Sequence, residues 1–178
     1  MTGARGLVAA PLALLLLGAT GCSALGGFEA GPTYAIAKAP ESAAAINGFV
    51  GAGVGDETVG LGAGGELRGK VGPKMGQVAM GPMVYGFFGT GIVLGYLRAG
   101  FNLLQFESVY ERFAFGMFSP RIAGGAIFRF GSSAESMGIS VTLETEYVVR
   151  FTDTPNTGYA ALMIGLVGVK SMGIPGLR

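Results

Sequence analysis

The sequence predicts an all-β fold: an antiparallel meander of about eight strands closing into a small β-barrel, with a β-sandwich as the alternative. Three observations predict it. Apolar and polar residues alternate with a period of 2 over long stretches. Glycine fills 34 of 178 positions, about 19% against a typical ~7%. Hydrophobic residues make up 50% of the chain and charged ones only 13%. No Gly-X-Y period runs through the glycines, and the apolar content is far too high for a disordered chain. Such a composition suits β-structure in contact with lipid, or a compact sandwich.

The absences narrow the chemistry. Histidine is missing altogether, which removes the commonest general base and metal ligand, and with it Ser-His-Asp and Cys-His catalysis and most zinc sites. Formal charge is +1, and no basic patch points to nucleic acid. The expectation is a protein that is not an enzyme, uses no cofactor and binds no nucleic acid.

Residues 1–21 have the layout of a secretory signal peptide. Arg5 supplies a positive charge, residues 7–17 are apolar apart from Pro11, and Gly18, Ala19, Thr20 and Gly21 are small. The apolar run is shorter than the ~20 residues of a membrane-spanning helix. Ala19-Thr20-Gly21-Cys22 resembles the bacterial lipobox, in which small residues precede a cysteine, with Ala19 where leucine is usual. The resemblance implies cleavage before Cys22, a diacylglyceryl group on its thiol and an acylated amine. Membrane lipid would then be a partner through Cys22. Each buried methylene contributes ~0.8 kcal/mol, so two or more chains hold firmly where one is marginal. With a single cysteine in the chain, no disulfide competes for the thiol. Ser23 follows in place of aspartate, which by resemblance to enterobacterial sorting implies the outer membrane.

Residues 22–45 contain Gly26-Gly27, Gly31-Pro32 and Pro40. They read as a tether, with a short strand over 33–38. The barrel-like domain is expected over 46–178. Residues 47–55 form a glycine-rich strand. In 59–71 the odd positions carry Val59, Leu61, Ala63, Leu67 and Val71, whereas the even positions end in Glu66, Arg68 and Lys70. Residues 77–88 are apolar on both faces, as are 159–169. Residues 96–105 alternate and then slip phase at Leu103-Leu104, which predicts a bulge. Residues 113–130 are one long strand or two broken at Ser119-Pro120, because proline cannot donate to a ladder. In 139–151, Ile139, Val141, Leu143 and Tyr147 alternate with Ser140, Thr142, Glu144, Glu146 and Arg150. Glycine, proline and aspartate punctuate the gaps.

The candidate site is an interior polar network of Glu66, Arg68, Lys70, Arg98, Glu144, Glu146 and Arg150, with Arg121 and Arg129 also falling on polar strand faces. Eight strands leave an interior just filled by side chains, so these charges would point inward and pair. Glu144 and Glu146 share a face and also form a carboxylate pair of the kind that does acid–base work or holds a cation. Interior ion pairing is the plainer account. The glycine strings around Gly51-Ala52-Gly53 and residues 60–65 sit inside alternating strands, not between a strand and a helix, so they are not phosphate loops. Phe87, Phe88, Phe101, Phe106, Phe113, Phe115, Phe118, Phe128 and Phe130 are either an aromatic girdle or core. Tyr110-Glu111-Arg112 and residues 153–157 read as exposed contact loops.

Over roughly 46–170 the chain resembles small outer-membrane β-barrel proteins in its alternation and glycine content. The resemblance implies a lipid-anchored protein of the bacterial outer membrane with a structural or envelope-interaction role, and an envelope protein as a further partner. The alternative is a periplasm-facing tethered β-sandwich or lipocalin-like module binding an apolar ligand or partner protein. The two differ in which side of the wall is apolar: outward in the first, inward in the second.

Overall fold

The computed structural model describes residues 21–36, 42–73, 75–109, 112–115, 118–131, 135–150 and 156–173. Its strands are β1 (Gly21–Ala35), β2 (Ser42–Gly55), β3 (Val59–Gly72), β4 (Met75–Thr90), β5 (Val93–Phe101), β6 (Leu104–Val109), β7 (Arg112–Phe115), β8 (Pro120–Arg129), β9 (Glu135–Val148) and β10 (Thr157–Gly173). All neighbours pair antiparallel, and pairing of β3 with β4 closes the ring β1-β2-β3-β4-β5-β8-β9-β10. This is an eight-stranded barrel, so the sandwich alternative does not form. β6 prolongs β5 along the same edge of β4, and β7 is an additional strand on β6. We call the end where Gly21 faces Gly173 proximal and the other end distal.

Alternation sets which residues face the lumen. In β9 every even residue from Ser136 to Val148 is buried and every odd one exposed. In β3 Glu66, Arg68 and Lys70 are buried while Leu61, Leu67 and Val71 are exposed. The wall is therefore apolar outside and polar inside. Among residues with described side chains, only Glu135 and Lys170 put a charge on the outer face of a strand. From Met137 to Tyr147 the outer row of β9 is free of charge. Ten steps of ~3.3 Å at a tilt of ~40° make this band about 25 Å tall, the height of a bilayer's hydrocarbon zone in barrels of this class. Its rims are aromatic: Phe88, Phe128 and Phe130 proximally, Tyr34, Phe101, Phe106, Phe118 and Tyr147 distally, all exposed. Phe87, by contrast, is 1% exposed and faces the lumen, so the aromatic run divides by parity between girdle and core. The side chains of Phe113 and Phe115 lie outside the described residues.

The barrel begins well before residue 46. Of the expected tether over 22–45, residues 22–35 belong to β1, which pairs with β2 on one side and β10 on the other, and residues 42–45 open β2. Without β1 the ring would have seven strands and two open edges. The expected bulge is present. Gly81 and Pro82 of β4 stand opposite three residues, Phe101, Asn102 and Leu103, between the pairs Met83–Gly100 and Met80–Leu104. Pro82 has no N–H to offer the ladder there, and the extra residue turns Asn102 into the lumen while Leu103 and Leu104 both face out. The stretch 113–130 is two strands, β7 and β8, parted just before Pro120.

Proximal turns are tight. In the turn 56–58, Asp56 accepts from the Thr58 N–H at 2.7 Å, the Thr58 hydroxyl at 2.7 Å and the Val59 N–H at 3.0 Å. Partial burial alone would raise its carboxyl, but these three donors hold it below the ordinary range.

Candidate functional site: an ion-paired lumen

The distal part of the lumen is built from the charged inner rows. β3 and β9 stand four places apart in the ring of eight, and so face each other across its full width. Arg68 of β3 donates to Glu144 of β9 and lies 3.1 Å from Glu146, and Lys70 donates to Glu146. A second crossbar joins β1 to β5, also four places apart and at right angles to the first. Here the Arg98 guanidinium donates to Glu29 at 2.6 Å. Glu29 also accepts from the hydroxyls of Tyr96, Ser140 at 2.8 Å and Thr142 at 2.5 Å. The Arg98 guanidinium stacks 3.9 Å over the Phe49 ring.

Two further pairs complete the network. Arg121 of β8 donates to Glu66 of β3 and to the Asn102 side chain that the bulge turns inward. At the distal end Arg150 grips Glu107 through two bonds of 2.6 and 2.8 Å, a forked geometry that suits guanidinium and carboxylate. Lys70 rests 3.9 Å over the Tyr159 ring. Five cations thus meet five carboxylates, and none of the ten is more than 7% exposed. Charges this deeply buried survive only as pairs. The Glu144–Glu146 carboxylates are already matched by Arg68 and Lys70, and among the described residues no cluster could hold a metal ion.

The proximal part of the lumen is apolar instead. Leu25, Met83, Tyr85, Phe87, Leu94, Ile127, Val167 and Val169 pack together there. Large rings fit because Gly60 and Gly62 of the neighbouring strand β3 and Gly51 of β2 have no side chains, and Tyr85 and Phe87 lie over them. Arg129 caps this end, donating to the Gly91 carbonyl at 2.9 Å and the Glu57 carbonyl at 3.2 Å. Among the described residues the lumen thus has an apolar proximal part and an ionic distal part.

All seven candidate residues face the lumen, and each has an oppositely charged partner. Sequence reasoning missed Glu29 and Glu107. Glu29 was hidden in the expected tether, although Ser23, Leu25, Gly27, Glu29 and Thr33 share one parity. Glu107 follows the bulge, where the parity changes. Of the two expected contact loops, 110–111 and 153–155 lie outside the described residues. Cys22 is exposed and opens the outer row of β1.

No family model matches the chain, and no curated protein matches its sequence. Solved structures do. Neisserial surface protein A superposes with a TM-score of 0.57 at 15% identity, covering 84% of this chain and 97% of that one. The outer membrane enzyme PagL does so with a TM-score of 0.53 at 14% identity, covering 83% and 99%. PagL corrects one expectation: an eight-stranded barrel of this kind is the body of an enzyme, so the fold gives no ground for denying the chain an activity. At these identities the likeness establishes architecture alone, and the architecture is that of the small outer-membrane β-barrels.

Proposed function

We propose that the protein is an integral outer-membrane barrel that also carries an acyl anchor on Cys22, with a structural or envelope-interaction role. The observation that carries this reading is the polarity of the wall, apolar outside over about 25 Å with paired charges inside. Cys22 suits an anchor by its parity. Its side chain points out of the barrel at the proximal rim, whereas Gly21 and Ser23 beside it are buried. Acyl chains on its thiol would enter lipid directly alongside β1, with no tether to span. The lipobox resemblance of residues 19–22 supports the same modification, and a lumen occupied by paired charges and apolar side chains favours a structural role over conduction.

The test replaces Cys22 by alanine behind an ordinary cleavable leader. Incorporation of labelled palmitate is expected to vanish, while the body stays in membranes through carbonate or urea washing and keeps heat-modifiable gel mobility. Release as a soluble monomer would overturn the integral barrel, and wild type without label would overturn the anchor. Leu143→Arg puts a charge on the outer wall, where Leu143 is 60% exposed. It is expected to destabilise the barrel by about 2–4 kcal/mol in bilayers, measured as the shift in urea unfolding.

A further inference from the structure

Among the described residues the outer wall carries a groove of about 300 Å³, at the proximal seam of β1, β2, β9 and β10. Its floor is formed by Gly26 and Gly168, directly opposed across the β1–β10 ladder. A Cβ on Gly26 would meet its nearest atom at 3.5 Å, and one on Gly168 at 3.8 Å, both ordinary contacts. On the inner rows of the same strands the situation differs, because a Cβ at Gly31 or Gly165 would overlap backbone. Barrel packing thus requires the inner glycines but not the outer two. What those two do is leave a channel on a surface that faces hydrocarbon, walled by the exposed side chains of Val50 and Met137.

The groove also has a charged mouth. Glu135 and Lys170, the outer wall's two described charges, line it and pair at 2.8 Å. Both stay open to solvent, at 74% and 48%. A lone charge on this wall would favour a lipid of opposite sign, but an adjacent anion and cation together present a dipole. The complement of that dipole is a headgroup carrying both signs. We propose that groove and ion pair form a seat for one zwitterionic phospholipid. Its acyl chain lies over Gly26 and Gly168, its phosphate meets Lys170 and its ammonium meets Glu135. The seat does not depend on acylation of Cys22.

The experiment reconstitutes the full chain in nanodiscs of phosphatidylethanolamine and phosphatidylglycerol with matched acyl chains, and counts retained lipid by native mass spectrometry. Wild type is expected to keep one phosphatidylethanolamine in preference to phosphatidylglycerol on the order of fivefold, a difference near 1 kcal/mol. Gly168→Leu fills the groove and is expected to abolish retention of both, with heat-modifiable mobility checking that it still folds. Glu135→Lys leaves two ammonium groups and is expected to reverse the preference towards phosphatidylglycerol. Absence of a preference in wild type, or a preference that survives Gly168→Leu, would overturn the seat. So would retention seen only in Cys22→Ala, since the groove would then belong to the protein's own acyl chain.

Discussion

Glu146→Ala is expected to cost the barrel about 3–5 kcal/mol, the range found when one partner of a buried ion pair is removed. Glu146 accepts from Lys70, lies 3.1 Å from Arg68 and takes a further bond of 3.3 Å from Asn102. Arg68 would keep Glu144, but Lys70 is 2% exposed and has no second carboxylate among its recorded ion pairs. Only the face of the Tyr159 ring would then offset desolvation of that ammonium. The measurement is the urea midpoint of the folded barrel in lipid, read by gel mobility. Lys70→Met combined with Glu146→Leu is expected to recover most of the loss, because an apolar pair of similar volume carries no such penalty. A double variant as unstable as Glu146→Ala would show that the carboxylate acts through packing instead of charge.

Gly62→Val is expected to cost about 1–3 kcal/mol, at the upper end of that range, from overpacking against a core that cannot move aside. A Cβ on Gly62 would sit 2.6 Å from the Tyr85 ring carbon Cζ and its hydroxyl, and 2.5 Å from the Ala52 carbonyl oxygen. Tyr85 is 1% exposed and stacked on Phe87 with centroids 6.5 Å apart, so the ring has nowhere to go. Gly69→Ala provides the contrast. Gly69 faces outward on the same strand, its Cβ would meet its nearest atom at 3.8 Å, and no measurable loss is expected. Refolding yield into the heat-modifiable form distinguishes the two.

Strands β3 and β9 are legible in the sequence because their two rows differ sharply, as Leu67 beside Arg68 or Leu143 beside Glu144 shows. β1 is not, because small residues occupy both of its rows: Ala24 and Gly26 outside, Ser23 and Gly27 inside. Gly31-Pro32 adds a turn signal in the middle of a strand. The same limit applies to the aromatics. Phe87 and Phe88 are adjacent in sequence yet face opposite solvents, and only the register of the closed ring decides which is which. Pairing in the lumen is further from reach. Arg68 and Glu144 are 76 residues apart, and their meeting depends on the stagger of strands around the ring. Period 2 places both inside without saying that they touch.

The two perpendicular crossbars bear on how such a barrel enters a membrane. Arg68, Lys70 and Glu66 on β3 have their ionic partners on β8 and β9, at the other end of the chain. In the membrane reading proposed above, a partial sheet of β1 to β3 would hold four unmatched charges against hydrocarbon, Glu29 as well as the three of β3, and the complementary sheet would hold the rest. On that reading neither half is a tenable intermediate in lipid, and the ring would cross the bilayer as one cooperative unit. The network that ties β3 to β9 and β1 to β5 would therefore also make assembly all-or-none.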